Sequence, residues 1–338
     1  MARASLPETF ESFLARQRRI IPGDRIFVAC SGGPDSVALF QLFRTLSPEW
    51  KLKLGLLHLN HGLRGRQSDR DERFVRKLAV RAGVPCYTGR VSVGKMLRKE
   101  NLSLEEAARL ARYHFFQTIA RRYGIRKIAL AHTKDDQAET VLMRVLQGTG
   151  LRGLCGIRPE LRMGKIRLIR PLLDISKAEI LDFLKNQRIT FCKDSSNDSR
   201  RFLRNRLRSE IIPKLKQSVN PRLVDALARL PSVVWEENRM LDFLETTAWR
   251  KSVISIRPGR LLIRRNMLMK FPAPLQFRLL DRALKRIDPR SGLAFDAWER
   301  LRTQLVLKRY RLSLPKDIDL ELTASAISLY RKGFRPKN

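Results

Sequence analysis

The chain has 338 residues, of which 43% are hydrophobic and 30% charged, so it can form ordinary cores and is not composed like a wholly disordered protein. Its 69 Lys and Arg against 33 Asp and Glu give a formal net charge of +36, which argues against an enzyme of small neutral metabolites and favours a polyanion such as nucleic acid. We expect a cytoplasmic protein with no membrane partner, zinc ribbon, iron–sulfur site or disulfide scaffold, because it has no membrane-length apolar run or secretory h-region and its four cysteines form no C-x-x-C pair.

The first two-thirds of the chain alternates short apolar runs with segments of helical period. Strands are predicted at residues 25–30, 52–59, 127–131 and 166–169, with a further β-rich piece near 84–93. Helices are predicted at residues 36–46, 68–82, 103–123 and 176–188. This alternation predicts an α/β fold with a doubly wound parallel sheet, in which ligands bind beyond the carboxyl ends of the strands.

The pattern changes after a polar stretch at residues 193–199 and a basic helical segment at about 201–216. Helical patterns then dominate at residues 222–250, 274–287 and 294–307, with short strand-like pieces near 261 and at 310–330. A smaller, mainly helical α+β domain is therefore predicted. We place the boundary near 215–220 and expect two domains, residues 1–216 and 217–338.

Two segments are strongly basic. Residues 200–216 carry seven basic residues and one acidic residue, and residues 250–270 carry seven basic residues and no acidic one. Charge runs are usually solvated faces, but in a chain of this net charge we expect both to track a phosphate backbone.

The segment Ser31-Gly-Gly-Pro-Asp-Ser36 joins the first predicted strand to the first predicted helix. Its two glycines let backbone N–H groups approach an anion, and the helix start adds unpaired N–H donors. Asp35 would repel a phosphate unless it holds a divalent cation shared with that phosphate, and Mg²⁺ is the expected ion. The segment is neither a Walker A loop, which needs a lysine, nor a G-x-G-x-x-G turn, so a dehydrogenase is not favoured.

Acidic residues cluster where a helix is expected to start, near Thr133. Asp135 and Asp136 would lie in its first turn, where capping and dipole compensation account for one aspartate. Glu139 lies three residues after Asp136 and so shares its helix face. Two carboxylates on one face of a very basic protein form a natural site for an ammonium group.

Five motifs occur in order along the chain. They are Ser31–Ser36, His58-Leu-Asn-His-Gly-Leu-Arg64, Ala131-His-Thr-Lys-Asp-Asp-Gln-Ala-Glu-Thr140, Arg170-Pro-Leu-Leu173, and Asp194-Ser-Ser-Asn197 followed by Arg204-Asn-Arg-Leu-Arg208. The first resembles the pyrophosphate loop of ATP pyrophosphatases, and the ordered set resembles the tRNA(Ile)-lysidine synthase family over about residues 24–221. Lys134 stands where that family more often has a small residue. Phe202 stands at a position where the family has an aromatic residue that is often Tyr. Neither change removes a charged group that the chemistry needs.

The resemblance implies a PP-loop, adenine nucleotide alpha hydrolase-like catalytic domain over residues 1–216 and a tRNA-binding domain over residues 217–338. It implies that ATP contacts Ser31, Gly32, Gly33, Pro34, Asp35, Ser36, His58, Asn60, Arg112 and His132. It implies catalytic roles for Asp35, Arg112, His132 and Asp136, with Mg²⁺ on Asp35. It implies that lysine binds to Asp136 and Glu139, and that tRNA contacts Arg64, Arg204, Asn205, Arg206 and Arg208.

The reaction implied by the resemblance is ATP-dependent ligation of free L-lysine to C2 of the wobble cytidine, position 34, of tRNA(Ile) with a CAU anticodon. It would proceed through an adenylated cytidine and release pyrophosphate and AMP. The lysidine formed would change codon specificity from AUG to AUA and amino acid specificity from Met to Ile.

Other interpretations remain open for single residues and for the whole chain. His132 is equally consistent with a buried polar group, and Arg112 with a solvated arginine. A zinc site at His58 and His61 is not favoured, because no cysteine or carboxylate ligands accompany them at metal-binding spacing. A PP-loop tRNA thiolase would need cysteines to carry sulfur. A basic RNA-binding protein with a vestigial nucleotide loop would release no AMP. The sequence leaves the oligomeric state open, and a homodimer is possible.

Overall fold

A computed structural model describes residues 5–62, 65–92, 94, 104–192 and 203–333. The chain packs as two compact units, Met1–Val234 and Trp235–Asn338. This division falls later than the change of sequence pattern near 215–220, and the functional domains 1–216 and 217–338 stay a prediction. No helix in the described ranges is long and apolar enough to cross a membrane.

The first unit is built on a six-stranded sheet. Its strands are β1 (Arg25–Ala29), β2 (Lys53–Asn60), β3 (Cys86–Arg90), β4 (Lys127–Ala129), β5 (Glu160–Met163) and β6 (Ile166–Ile169), in the spatial order β3-β2-β1-β4-β6-β5. Every neighbouring pair except β5–β6 is parallel, which confirms the predicted doubly wound sheet. The edge strand β5 was not predicted, and it pairs antiparallel with β6 across a turn in which Gly164 has a φ of 61°.

Helices flank this sheet in the expected alternation. They are α1 (Leu6–Gln17), α2 (Pro34–Leu46), α3 (Arg66–Ala82), α4 (Leu104–Tyr123), α5 (Lys134–Leu146), α6 (Leu151–Leu154) and α7 (Lys177–Asn186). After them come α8 (Leu203–Arg206), a π-helical turn (Leu207–Ile211), α9 (Ile212–Ser218) and α10 (Leu223–Ser252). The helices predicted at residues 36–46, 68–82, 103–123 and 176–188 are confirmed, as are the helix expected to start near Thr133 and the helical segment at about 201–216, whereas α1 was not predicted. Ser103, the first residue of the helix predicted at 103–123, lies outside the described residues.

β1 lies at the centre of the sheet and is covered on both faces. Ile26, Phe27 and Val28 are fully buried, as expected for a parallel strand whose sequence is continuously apolar. The core on one face includes Phe40 of α2, and the core on the other face includes Phe116 of α4.

The carboxyl ends of β1, β2 and β4 meet at one edge of this sheet. Ala29 pairs with Leu57 of β2, and Val28 pairs with Ala129 of β4. β2 and β4 lie on opposite sides of β1, so the strand order reverses at β1. A crevice opens at this point, between the segments that follow β1 and β4. The segments that follow these three strands all face that crevice.

The second unit combines an antiparallel sheet with helices. It contains β7 (Val253–Arg257), β8 (Arg260–Arg264), α11 (Arg265–Leu268), α12 (Ala273–Ile287), α13 (Phe295–Gln304), β9 (Tyr310–Leu314), β10 (Ile318–Leu322) and β11 (Ala326–Arg331). The strands lie in the order β7-β8-β11-β10-β9, and α12 buries Leu279, Leu280 and Leu284 in the core that the sheet completes. These elements confirm the predicted α+β class, although β7 was not predicted.

Candidate functional site

A cavity of about 760 Å³ lies at the carboxyl edge of the parallel sheet. Its wall is formed by segments that are distant in sequence: the turn after β1, the end of β2, the middle of α4, the start of α5 and the π-helical turn. Most of the predicted ATP-binding residues line it, namely Ser31, Gly33, Pro34, Asp35, Ser36, His58, Asn60, Arg112 and His132. Gly32 lies in the same turn, and Arg64 lies outside the described residues.

The turn between β1 and α2 is held open by its own hydrogen bonds. Gly32 has a φ of 92°, a conformation that favours glycine, and its carbonyl accepts a hydrogen bond from the Cys192 N–H at 2.8 Å. The Ser36 hydroxyl donates to the Gly33 carbonyl at 3.0 Å and accepts from the Ser31 N–H at 3.2 Å. Gly33 is the N-cap of α2 and provides no side-chain cap, so the N–H groups of the first turn remain available to an anion.

Asp35 carries an unsatisfied carboxylate. Among the described residues, its Oδ1 atom is buried with no hydrogen-bond partner. Burial raises the pKa of Asp35 to about 6, although Lys177 lowers it in part. A hard divalent cation would satisfy this oxygen and favour the ionised form, so the site fits Mg²⁺.

His58 presents a neutral ring to the cavity. Its Nδ1 lies 2.9 Å from the Cys30 carbonyl, which makes Nδ1 the donor, and its Nε2 is buried without a hydrogen-bond partner in the described part of the chain. Burial lowers the pKa of His58. Nε2 can therefore accept a hydrogen bond from an N–H or O–H group of a ligand.

Asn60 also borders the cavity, but its side chain is engaged within the protein. Its amide donates to Asp69 at 3.1 Å and to Glu72 at 3.3 Å, and its oxygen accepts from the Gly62 N–H at 2.9 Å. These contacts tie the end of β2 to α3. Asn60 thus shapes the wall beside His58.

His132 lies between the end of β4 and the start of α5. Burial, followed by the positive charge of Arg170, lowers the pKa of His132 to about 4. Its Nδ1 is a buried atom with no hydrogen-bond partner among the described residues. Arg112 contributes a cation from α4 to the same cavity, as expected for a contact with a nucleotide phosphate.

The two carboxylates predicted to share a helix face do so. Thr133 is the N-cap of α5, its hydroxyl accepts a hydrogen bond from the Asp136 N–H at 3.3 Å, and Asp136 Oδ2 accepts one from the Thr133 N–H at 2.9 Å. Glu139 lies one turn later and is only 2% exposed. Asp136 borders the cavity, so the pair lies at its edge.

Both carboxylates are paired with guanidinium groups. Arg204 reaches Glu139 at 3.0 Å and Asp136 at 3.2 Å, and Arg208 reaches the same residues at 2.5 and 2.9 Å. Burial opposes ionisation of Asp136, but Arg204, with smaller effects of His132, Thr133 and Arg208, keeps its pKa below the ordinary value. The carboxylates predicted for lysine and two arginines predicted for tRNA therefore form one network, whereas Arg206 is exposed.

Lys177 is a cavity residue that the sequence analysis did not identify. It is the first residue of α7, its N–H donates to Asp135 at 2.7 Å, and its charge lowers the pKa of Asp35. The sequence did carry a signal for the helix on which Lys177 lies, because the Ser176–Glu179 capping box marks a helix start after a strand of the sheet. Nothing in the sequence distinguished this lysine from the other basic residues.

Comparison with known proteins agrees with this geometry. Residues 6–215 match the family model described as a PP-loop domain. The chain is 37% identical over 325 residues to a tRNA(Ile)-lysidine synthase of Geobacter sulfurreducens, an alignment that covers 95% of this chain and 68% of that protein. It is 37% identical to the enzyme of the same name from Symbiobacterium thermophilum, with 86% of this chain and 60% of that protein covered.

A solved structure supports the fold. The U34-tRNA thiolase of Methanococcus maripaludis, which carries a [4Fe-4S] cluster, superposes with a TM-score of 0.56 at 18% identity and covers 68% of this chain and 78% of its own. At that identity the likeness concerns the fold alone. The present chain spans about three-fifths to two-thirds of the length of the two synthases. On the motif order, the family model and these relatives, the chain belongs to the PP-loop proteins and, within them, to the tRNA(Ile)-lysidine synthase family.

Proposed function

We propose that the chain ligates free L-lysine to C2 of the wobble cytidine, position 34, of tRNA(Ile) with a CAU anticodon, using ATP. The observation that carries this proposal is one cavity bordered by an anion-binding turn at Ser31–Ser36 and by Asp136 of the buried acidic pair. The first suits a triphosphate and the second suits an ammonium group. The names of the relatives supply the identity of the tRNA and of the product.

The first step is adenylation of the cytidine. The phosphates bind to backbone N–H groups of the Ser31–Ser36 turn, and Arg112 and His132 line the same cavity. Asp35 would hold Mg²⁺, which supplies charge neutralisation for the phosphates when bound. The C2 oxygen of the cytidine attacks the α-phosphorus, an O–P bond forms, and pyrophosphate leaves.

The second step replaces the adenylate with lysine. The ε-amine must lose a proton before it attacks, because its ordinary pKa is about 10.4. A C2–N bond then forms, the C2–O bond breaks, and AMP leaves. Because Asp136 and Glu139 are paired with arginines, the substrate ammonium must exchange with a guanidinium to reach them.

The tRNA is held by basic surfaces that lie outside the cavity. Arg206 is exposed beside Asn205, and the basic block at residues 250–270 lies in the second unit. Such contacts position the phosphate backbone rather than read bases. We expect the reaction to occur in the cytoplasm and to change the tRNA from reading AUG as Met to reading AUA as Ile.

Mass spectrometry of tRNA nucleosides tests the function. The full chain is incubated with tRNA(Ile) transcript, ATP, Mg²⁺ and lysine, and we expect cytidine to gain lysine with loss of water while AMP and pyrophosphate appear. Omitting lysine should abolish the adduct, and a tRNA with another anticodon is the substrate control. Formation of ADP, or an unmodified cytidine with active tRNA binding, would overturn the proposal.

A variant at the acidic pair tests the lysine site separately. Asp136→Asn keeps the shape and removes the charge, so the lysine KM is expected to rise at least about tenfold, while the ATP KM changes little. Asp182→Asn, on the exposed side of α7, is the matched control. Unchanged kcat and lysine KM in Asp136→Asn would remove this residue from the mechanism.

A further inference from the structure

Arg170 is a buried cation at the carboxyl end of β6, an inner strand of the first sheet. It follows β6 directly, is 6% exposed, donates through Nη1 to the Arg158 carbonyl at 2.6 Å and contacts the Tyr113 side chain. No carboxylate of the described residues forms an ion pair with it, and its Nε is buried without a hydrogen-bond partner within the same residues. A buried guanidinium without a counter-charge is costly, so its position calls for a reason other than stability.

The strand register places Arg170 beside the segment that carries His132. Ala129 of β4 pairs with Ile169 of β6, and the Leu130 N–H donates to the Ile169 carbonyl at 2.8 Å. The two chains therefore leave the sheet side by side. Arg170 is the charge with the largest effect on His132, and it opposes protonation of the ring.

Three other charged groups act on His132 from the surrounding elements. Arg112 on α4 and Arg204 on α8 oppose protonation, and Asp136 on α5 favours it. Arg204 pairs with Asp136 and Glu139, so its field is partly cancelled, and a bound phosphate would do the same for Arg112. Arg170 has no carboxylate partner in the described part of the chain, and its field on His132 therefore persists when the cavity fills.

We propose that Arg170 is a positioning residue that, together with the burial of the ring, disfavours the charged form of the His132 imidazole, so that one ring nitrogen remains a hydrogen-bond acceptor in the cavity. A neutral imidazole has one acceptor nitrogen and an imidazolium has none. The phosphates of ATP offer no donor, so the partner of this acceptor is a ligand N–H or O–H group: the adenine amino group or a ribose hydroxyl of ATP, the lysine amine or the cytidine amino group. This consequence for ligation rests on the proposed function, whereas the charge state of His132 does not.

The charge state can be measured in the full chain without any substrate. The protein has four histidines, so [¹³Cε1]-histidine labelling gives a small set of NMR signals, and His132→Gln assigns the signal of interest. We compare wild type with Arg170→Gln, which keeps a hydrogen-bond donor and loses the charge, and with Arg170→Lys, which keeps the charge. Arg167→Gln, on the strand that leads to Arg170 but paired with Glu160, is the control.

We expect His132 to titrate below its ordinary pKa of about 6.5 in wild type, Arg170→Lys and Arg167→Gln, and about half a pH unit or more higher in Arg170→Gln than in wild type. An unchanged His132 titration in folded Arg170→Gln overturns the proposal. An ordinary His132 pKa in wild type overturns it equally, and that measurement can be made even if Arg170→Gln does not fold.

The pH dependence of kcat/KM for lysidine formation tests the consequence for ligation. The acid limb is expected to move to higher pH in Arg170→Gln by the shift seen in the NMR titration, and to stay in place in Arg170→Lys. A merely structural role would lower activity equally at every pH, and that result would overturn the consequence. If wild type forms no lysidine, the proposed function fails while the NMR titration still decides the charge state.

Discussion

Arg208 and Glu139 form a bidentate ion pair, with Nε 2.5 Å from Oε1 and Nη2 2.9 Å from Oε2. Their separation in sequence is 69 residues, and α5 and the π-helical turn bring them together. Because Glu139 is almost fully buried, its charge requires compensation from within the protein. The acidic pair is therefore a site that already holds cations, and a substrate ammonium has to compete with them.

Removing Arg208 should show how much the buried charge of Glu139 depends on this arginine. Arg208→Gln is expected to destabilise the protein by about 2–3 kcal/mol, less than complete loss of a buried pair because Arg204 still contacts both carboxylates. Combining it with Glu139→Gln should recover part of the loss, since the uncompensated charge is then absent. Urea unfolding at neutral pH measures both.

The exposed Arg206 is the matched control for this experiment. Arg206→Gln should change the free energy of unfolding by less than about 0.5 kcal/mol. An Arg208→Gln protein as stable as Arg206→Gln would mean that the ion pair seen here does not compensate Glu139.

The sequence carried enough information for the phosphate turn and the shared carboxylate face. Gly32 and Asp35 belong to one short segment between a strand and a helix, and Asp136 and Glu139 are related by helical spacing alone. Relations between residues that are close in sequence can be recognised from the sequence alone. The central strands were equally predictable, because burial on both faces makes them continuously apolar.

Relations between distant residues could not be predicted. Any of 69 basic residues could have paired with Glu139, and only packing selects Arg204 and Arg208. The edge strand β5 was not predicted because its exposed edge accepts charged residues that obscure the alternation, whereas β7 alternates Ile254-Ser255-Ile256-Arg257 but follows α10 with no intervening loop. Arg170 was noticed only as part of a motif, since its lack of a counter-charge is a property of the fold.

Asp35 should make the ligand-free protein less stable as the pH rises. Its folded-state pKa of about 6 lies above the ordinary value, so its stabilising contribution is present at low pH and is lost as the pH rises through about 6. Asp35→Asn removes this cost and is expected to be about 2–3 kcal/mol more stable than wild type at pH 7.5, with the difference vanishing near pH 4. Urea unfolding at both pH values measures it.

Magnesium provides a second measurement on the same variant. Added Mg²⁺ with ATP should stabilise wild type more than Asp35→Asn, because only the wild type offers a carboxylate to the cation. Asp182→Asn, an exposed change, should respond as wild type does. Equal stability of Asp35→Asn and wild type at pH 7.5 would show that burial does not disfavour the Asp35 charge.

The two glycines of the phosphate turn should differ in their tolerance of a side chain. Gly32 has a φ of 92°, and a Cβ there would lie 3.3 Å from Cys192 Sγ, so Gly32→Ala should cost about 1–3 kcal/mol and weaken ATP binding. Gly33 has a φ of −73°, and its Cβ would meet Ser31 Oγ at an ordinary 3.4 Å, so Gly33→Ala should cost less. Urea unfolding ranks the two, and a greater loss of stability in Gly33→Ala would contradict the backbone argument.

The arginines of α8 should differ in their contribution to tRNA binding. Arg206 is exposed, so neutralising it should remove about one phosphate contact and reduce the slope of log K against log salt by about 1. The Arg204 guanidinium is held by Glu139 at 3.0 Å, so Arg204→Gln should leave the slope nearly unchanged even if lysine binding suffers. Filter binding of tRNA(Ile) transcript between about 50 and 200 mM salt measures both slopes. A slope reduced by Arg204→Gln and not by Arg206→Gln would mean that tRNA releases Arg204 from the acidic pair on binding.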